Sequence, residues 1–317
     1  GEESAELIEP RRMPLPMLGL GGSIATPRRG ITAEVLVVSS FDELQRRAAD
    51  ARGKIVLFDV PWRGYGPTVQ YRSNGAIAAA RAGAVAALLR SVTPHALRTP
   101  HTGAMRYDST VTRIPFAAIT VEDALLLHRM QDRGERVVVS LRMSARTLPD
   151  APSQNVMGEI VGSERPDEVV VMGGHTDSWD VGQGAMDDMG GVVVAWEAVR
   201  LMQQLGLRPR RTVRVVGWVN EENGTRGGEA YRDAHRDQLD DHVLAIESDG
   251  GVFRPTGFGF SGSDSARAIV RQIGGLLRRI GADSIEGGGG GTDIGPITAL
   301  GVPSMGLETD GPRYFWY

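Results

Sequence analysis

The sequence predicts an α/β protein built on a mostly parallel mixed sheet with helices on both faces, accompanied by a second α/β module. Two observations carry that expectation. From Asn155 onward, apolar strand-like runs alternate with helical runs, the pattern of a parallel sheet buried between helical layers. Residues 31–147 show the same alternation on their own and end at Leu148-Pro-Asp-Ala-Pro-Ser153, a stretch with the composition of a linker.

Residues 1–30 are rich in Pro and Gly around a short apolar stretch, Leu15 to Leu20, and read as a lead-in segment. Gly19-Leu-Gly21-Gly22-Ser-Ile24 lacks the third glycine of a dinucleotide loop, and no helical pattern follows it. In the first module, strands are expected at 34–38, 54–60, 84–89, 114–119 and 136–142. Helices are expected at 41–51, 75–82 and 121–132. In the second half, strands are expected at 156–161, 168–172, 212–219, 243–246 and 302–307. Helices fall at 190–205, 227–234 and 265–279, with Gly206 and Gly281 as natural stops. The glycine run 287–291 reads as a mobile loop near the cleft or as a flexible linker.

Composition narrows the function. The chain has 317 residues, 41% hydrophobic and 23% charged, with a net charge of −4, so no nucleic-acid partner is expected. Its only lysine is Lys54, and the arginines spread along the chain rather than forming a patch. No apolar run reaches the roughly 18 residues a membrane span needs. With no Cys, any metal must be held by His and carboxylates. Six His are available, and His95, His101 and His128 each stand isolated from any acid cluster.

The chemistry gathers just past the strands of the second half. His175 and Asp177 form a His-x-Asp arrangement, in which an acid can orient a metal-bound imidazole. Asp187 and Asp188 sit in a Gly-rich loop ahead of the helix at 190–205. One of them can cap that helix, and a second carboxylate can bridge two cations about 3.5–4 Å apart. Glu221 and Glu222 end a strand side by side. One of the pair is expected to ligate metal and its neighbour to take a proton from the attacking water. Asp249 is either a turn residue before Gly250-Gly251 or a further ligand. In parallel sheets, function collects at the carboxyl ends of strands, where these residues fall. A calcium module would suit the acids but not His175 as a ligand.

The run Gly174-His175-Thr-Asp177-Ser-Trp-Asp180-Val-Gly-Gln-Gly184-Ala-Met-Asp187-Asp188 resembles the signature of the co-catalytic zinc exopeptidases of the aminopeptidase and glutamate-carboxypeptidase type. Gly206-Leu-Arg-Pro209, Glu221-Glu222, Glu247-Ser-Asp249 and Gly291-Thr-Asp-Ile294 match in order and spacing. Gly30 to Val38, Phe41 to Arg47, Thr68 to Arg72, Pro100 to Gly103 and Ile119 to Asp123 resemble the protease-associated domain of that group. The likeness implies the zinc exopeptidase fold at 148–317. It implies an inserted protease-associated domain at 31–147, and a lead-in at 1–30 that belongs to a discontinuous catalytic domain.

The resemblance also implies roles. His175 and Asp249 would bind one zinc, Asp187 would bridge two, and Glu222 would bind the second. Glu221 would be the general base and Asp177 would orient His175, with a cis peptide between Asp187 and Asp188. In that group a last His ligand for the second zinc follows an aromatic run matching Tyr314 to Tyr317, where this sequence ends. The chain as given is therefore expected to hold one zinc firmly and a second weakly. The implied substrate is a short peptide, a dipeptide with free termini, and the implied enzyme is a secreted homodimer. An aminopeptidase acting on longer peptides and a non-catalytic receptor or scaffold remain as alternatives. Substrate-binding residues are not readable.

Overall fold

The computed structural model describes residues 2–311. The chain divides after Asp150 into two units.

The first unit holds strands β1 (Glu3–Glu9), β2 (Met13–Leu15), β3 (Met17–Gly19), β4 (Ile31–Val38), β5 (Ile55–Phe58), β6 (Ala86–Arg90), β7 (Phe116–Ile119) and β8 (Val138–Met143). Its helices are α1 (Phe41–Arg46), α2 (Ala48–Ala51), α3 (Tyr65–Arg81) and α4 (Val121–Asp132). The strands form one sheet in the order β2-β1-β8-β4-β5-β6-β7-β3, with β4 to β7 parallel. The lead-in expected to belong with the catalytic half instead supplies three strands here. β1 runs antiparallel to β8 and β3 antiparallel to β7. The reason is burial: Ala5, Leu7 and Leu15 join the core formed by Val35, Val37, Leu57 and Leu88. With Pro10, Pro14 and Pro16 around and within them, β2 and β3 are three residues each, too short for an alternation to show.

α3 starts ten residues earlier than the Ala-rich run indicates. Pro67 lies in its first turn, where a missing N–H costs nothing. Among the isolated histidines, His128 Nδ1 lies 2.6 Å from the buried Asp59 carboxylate, a structural hydrogen bond.

The second unit holds β9 (Val156–Ile160), β10 (Arg165–His175), α5 (Met189–Gln204), β11 (Arg211–Trp218), α6 (Arg226–Ala234), β12 (His242–Glu247), β13 (Pro255–Ser261), α7 (Asp264–Gly274), β14 (Ser284–Gly287), α8 (Gly295–Thr298) and β15 (Ser304–Thr309). The sheet order is β14-β13-β15-β12-β10-β11-β9. β10, β11, β12 and β15 are parallel, while β9 is antiparallel to β11 and β13 antiparallel to β15. The mixed sheet matches expectation, but β13 and β14 are additional strands. Their glycines, in Thr256-Gly-Phe-Gly-Phe260 and Glu286-Gly287, dilute the β-branched signal. The amphipathic run expected to stay helical to Arg279 leaves the α-helix at Gly274-Gly275 and continues as a 3₁₀ segment, Gly275–Ile280.

Helices cover both faces of this sheet. Val169, Val171, Val216 and Trp218 pack on Tyr231 of α6 and Ile297 of α8. On the other face, Gly174 lets the start of α5 come close. A Cβ at 174 would lie 2.1 Å from Asp188 Oδ2 and 3.0 Å from the Val192 nitrogen, so a glycine is needed there. The glycine run 287–291 is pinned rather than loose: Gly289 N–H donates to Ser261 Oγ at 3.0 Å, and its carbonyl accepts from Ser304 Oγ at 2.9 Å. Its glycines allow backbone to lie on backbone; a Cβ at 289 would meet the Gly259 carbonyl. Among the described residues no helix is long and apolar enough to cross a membrane.

Candidate metal centre

Three parallel strands deliver the site. β10 ends at His175, β11 leads into Glu221 and Glu222, and β12 leads into Asp249. A parallel register puts those carboxyl ends on one edge, so residues far apart in sequence converge. The loop after β10 brings back Asp187 and Asp188 at the start of α5.

His175 is 1% exposed, and that burial decides its chemistry. Its Nδ1 lies 2.8 Å from the Asp177 carbonyl and therefore carries the proton, which leaves Nε2 facing the carboxylates. Asp187 Oδ1 is 3.0 Å from Nε2, Asp249 Oδ1 3.5 Å and Glu221 Oε2 3.9 Å. Neither His175 Nε2 nor Asp249 Oδ1 makes a well-aligned hydrogen bond, although both are buried. Polar atoms left so in a protein interior mark the place of a cation or a water. The spacing fits a metal ion: donor atoms about 2.1 Å from one tetrahedral ion lie about 3.4 Å apart. His175, Asp188 and Asp249 also present donor atoms within 4.8 Å of one another.

Of the two adjacent acids, Asp187 is the better donor to a metal. Asp188 is fully buried and already committed: Oδ2 accepts from His175 N–H and Oδ1 from Gly191 N–H, each at 3.1 Å. It is the N-cap of α5. Asp187 is half-buried and faces His175 across a cis peptide to Asp188, as expected.

The acids crowd one another. Burial would lower the His175 pKa, but the neighbouring Asp187 and Asp249 carboxylates push it up to about 12. Burial, with the Asp249 charge behind it, pushes Asp188 up to about 8. Burial and the charges of Asp187 and Glu221 push Glu222 up to about 7. Glu221 and Asp249 are raised as well, by burial first. A bound cation relieves this frustration by favouring the ionised forms.

Asp177 works differently from the expected carboxylate–imidazole pair. Its main-chain carbonyl, not its side chain, orients His175; the carboxylate is 3.8 Å from Nδ1. The two carboxylate oxygens instead accept the Glu221 and Glu222 N–H groups, at 3.0 and 3.2 Å. One residue thus holds His175 with its backbone and the glutamate pair with its side chain.

Two buried acids behind the cluster received no role from the sequence. Glu247 is 2% exposed and Asp293 1%. Burial pushes them up, to about 7 and about 9. Glu247 Oε2 accepts the Ile294 N–H at 2.9 Å, which ties the loop before α8 to the end of β12. Gly291 makes room, since a Cβ there would lie 2.0 Å from the Glu247 carboxyl carbon. The sequence signal was the motif Gly291-Thr-Asp-Ile294, whose Asp points back to this site. His242 and His235, the other histidines of this unit, bond to the Tyr231 hydroxyl (2.8 Å) and carbonyl (3.0 Å) and take no part. The further ligand expected beyond Tyr314 to Tyr317 lies outside the described residues.

Comparison with known proteins finds relatives along the whole chain. Residues 155–317 match peptidase family M28. The chain is 50% identical over all 317 residues to carboxypeptidase Q of Mus musculus and of Homo sapiens, and spans 67% of each. A crystal structure of a peptidase M28 precursor from Shewanella amazonensis SB2B aligns over 100% of this chain and 74% of its own, with TM-score 0.96 and 38% identity. A zinc aminopeptidase from Bacillus subtilis, 21% identical, shares the fold at TM-score 0.69 over 99% of this chain and 77% of its own. The family match covers the strands that carry His175, Asp187, Glu221, Glu222 and Asp249, and half of all positions are shared with relatives along the full length: the chain belongs to peptidase family M28.

Proposed function

We propose that the protein is a zinc-dependent exopeptidase that hydrolyses short peptides, dipeptides with free termini in the first place. The observation that carries the reading is the buried His175 Nε2, ringed by Asp187, Asp249 and Glu221 oxygens at 3.0–3.9 Å. Half-identity to carboxypeptidase Q supports the exopeptidase class.

In this reading His175, Asp249 and Asp187 would hold one zinc, and Asp187 with Glu222 would hold a second. Zinc would supply Lewis acidity, polarising the scissile carbonyl and lowering the pKa of an attacking water from about 15.7 towards 7. Glu221 does the proton work. Its carboxylate takes a proton from the attacking water and hands it to the leaving amine. Asp177 keeps that carboxylate aimed by holding the Glu221 and Glu222 backbone. The first unit, whose described residues hold no cluster of metal-ligating type, is read as a protease-associated module that supports a secreted homodimer.

The test uses the full-length protein with free, N-acylated and C-amidated dipeptides and a longer peptide. Free dipeptides should be cleaved fastest, a chelator should abolish the activity, and added zinc should restore it. Chelator-resistant hydrolysis would remove the metal from the reading. Faster cleavage of the longer peptide from its amino end would replace the dipeptidase with an aminopeptidase.

A further inference from the structure

We infer that Asn155 is a positioning residue for the Glu221–Glu222 pair, acting through a closed ring of hydrogen bonds at the base of the turn that carries them. Its bearing on catalysis rests on the proposed roles of Glu221 and Glu222.

Asn155 sits just ahead of β9. The antiparallel register, Val156 opposite Gly217, brings it beside the end of β11. There its Oδ1 accepts the Val219 N–H at 3.1 Å and its Nδ2 donates to the Gly227 carbonyl at 2.9 Å. Gly227 N–H donates to the Val219 carbonyl at 3.0 Å and completes the ring. Both ends of the turn, 219 and 227, are thereby fixed by one side chain. A primary amide serves both, because one partner is a donor and the other an acceptor. Gly227 is required as well: a Cβ there would lie 2.5 Å from Asn155 Oδ1 and 2.5 Å from the Val219 carbonyl oxygen.

The turn between those ends needs an external hold. Asn220 has φ +69° and Thr225 φ +92°, the left-handed region. Conformations of this kind persist where the surroundings hold them. For β-branched Thr225 the position is an outlier. Asp177 grips the apex through the Glu221 and Glu222 N–H groups, and Asn155 grips the base. Without the basal ring the turn can relax at 220 and 225, and the two carboxylates lose their aim.

The experiment compares wild type with Asn155→Ala and Asn155→Asp in the full-length protein. Asn155→Asp keeps the acceptor for Val219 and loses the donor to Gly227, so it reports the ring even where the alanine variant folds poorly. In the zinc-loaded enzyme, kcat on a free dipeptide should fall about 10- to 100-fold, the cost of misplacing a catalytic group by about 1 Å, with KM little changed. In the metal-free protein, amide hydrogen exchange should quicken in peptides covering 219–227 and stay at wild-type rates in those covering 165–175 and 242–249. Wild-type kcat and exchange in both variants would overturn the inference, as would exchange that quickens uniformly across the sheet. The exchange experiment does not depend on peptidase activity. A wild-type protein that cleaves no peptide would therefore defeat the functional reading while the ring is still judged, and an active wild type with unaltered variants would defeat the ring alone.

Discussion

Glu221→Gln in the full-length, zinc-loaded protein should lower kcat by about 10²- to 10⁴-fold, the usual contribution of a general base, while zinc content stays at the wild-type level. The substitution keeps the size of the side chain and removes only its ability to take up a proton. Glu221 is held in place independently of any metal: Asp177 accepts its N–H, and burial surrounds its carboxyl. Its Oε2 stands 3.9 Å from His175 Nε2, farther than Asp187 or Asp249, as befits a group that reaches the attacking water rather than the ion. The measurement pairs initial rates with zinc content on the same samples. Full turnover would strip Glu221 of the role of base, and loss of zinc together with rate would make it a ligand.

Asp187→Asn and Asp188→Asn should fail in opposite ways although the residues are adjacent. In the proposed site Asp187→Asn would remove an anionic donor shared by two zincs, so zinc affinity and activity should fall together by at least about 100-fold, beyond what the loss of an outer-sphere partner costs. The folded protein should keep its thermal midpoint in the metal-free state. Asp188→Asn should instead destabilise. Its two oxygens accept from His175 N–H and Gly191 N–H, and an amide can accept from only one of them. The other N–H is then buried without a partner, a cost of about 1–3 kcal/mol, read as a lower thermal midpoint of the metal-free protein. If Asp188→Asn lost zinc without losing stability, and Asp187→Asn did the reverse, the assignment of cap and ligand would be exchanged.

Part of the candidate site was legible in the sequence. His175, Glu221, Glu222 and Asp249 could be found because each lies at or within four residues of the end of an apolar strand, and parallel strands gather such positions at one edge. Which of Asp187 and Asp188 caps α5 was visible as a choice but not as an answer. Both fit the start of α5, and the hydrogen bonds of the Asp188 carboxylate to the His175 and Gly191 N–H groups decide it. The role of the Asp177 side chain was not legible. Its partners are 44 and 45 residues away, and a His-x-Asp spacing points to the imidazole instead. Asn155 lies 64 and 72 residues from the groups it bonds, with no local pattern to announce it.

The fold divides along the same line. Elements with strong periodicity, such as α4 and β11, fall where the sequence puts them. β2, β3, β13 and β14 were obscured by Pro and Gly, residues whose local preference argues against strands, and β1 by its four polar residues in seven. They pair because their neighbours offer open edges and because Leu7, Leu15 and Phe260 gain burial. Pairings of that kind depend on the assembled sheet rather than on the segment.

In the proposed enzyme, His175, Asp187 and Asp249 would enclose a catalytic zinc. Diffraction from crystals of the full-length protein, recorded on both sides of the zinc absorption edge, tests it directly. The expected result is an anomalous peak bonded to His175 Nε2 and to carboxylate oxygens of Asp187 and Asp249, with a second peak shared by Asp187 and Glu222. A zinc-replete protein with no peak at His175, or with its zinc bound elsewhere, would contradict it.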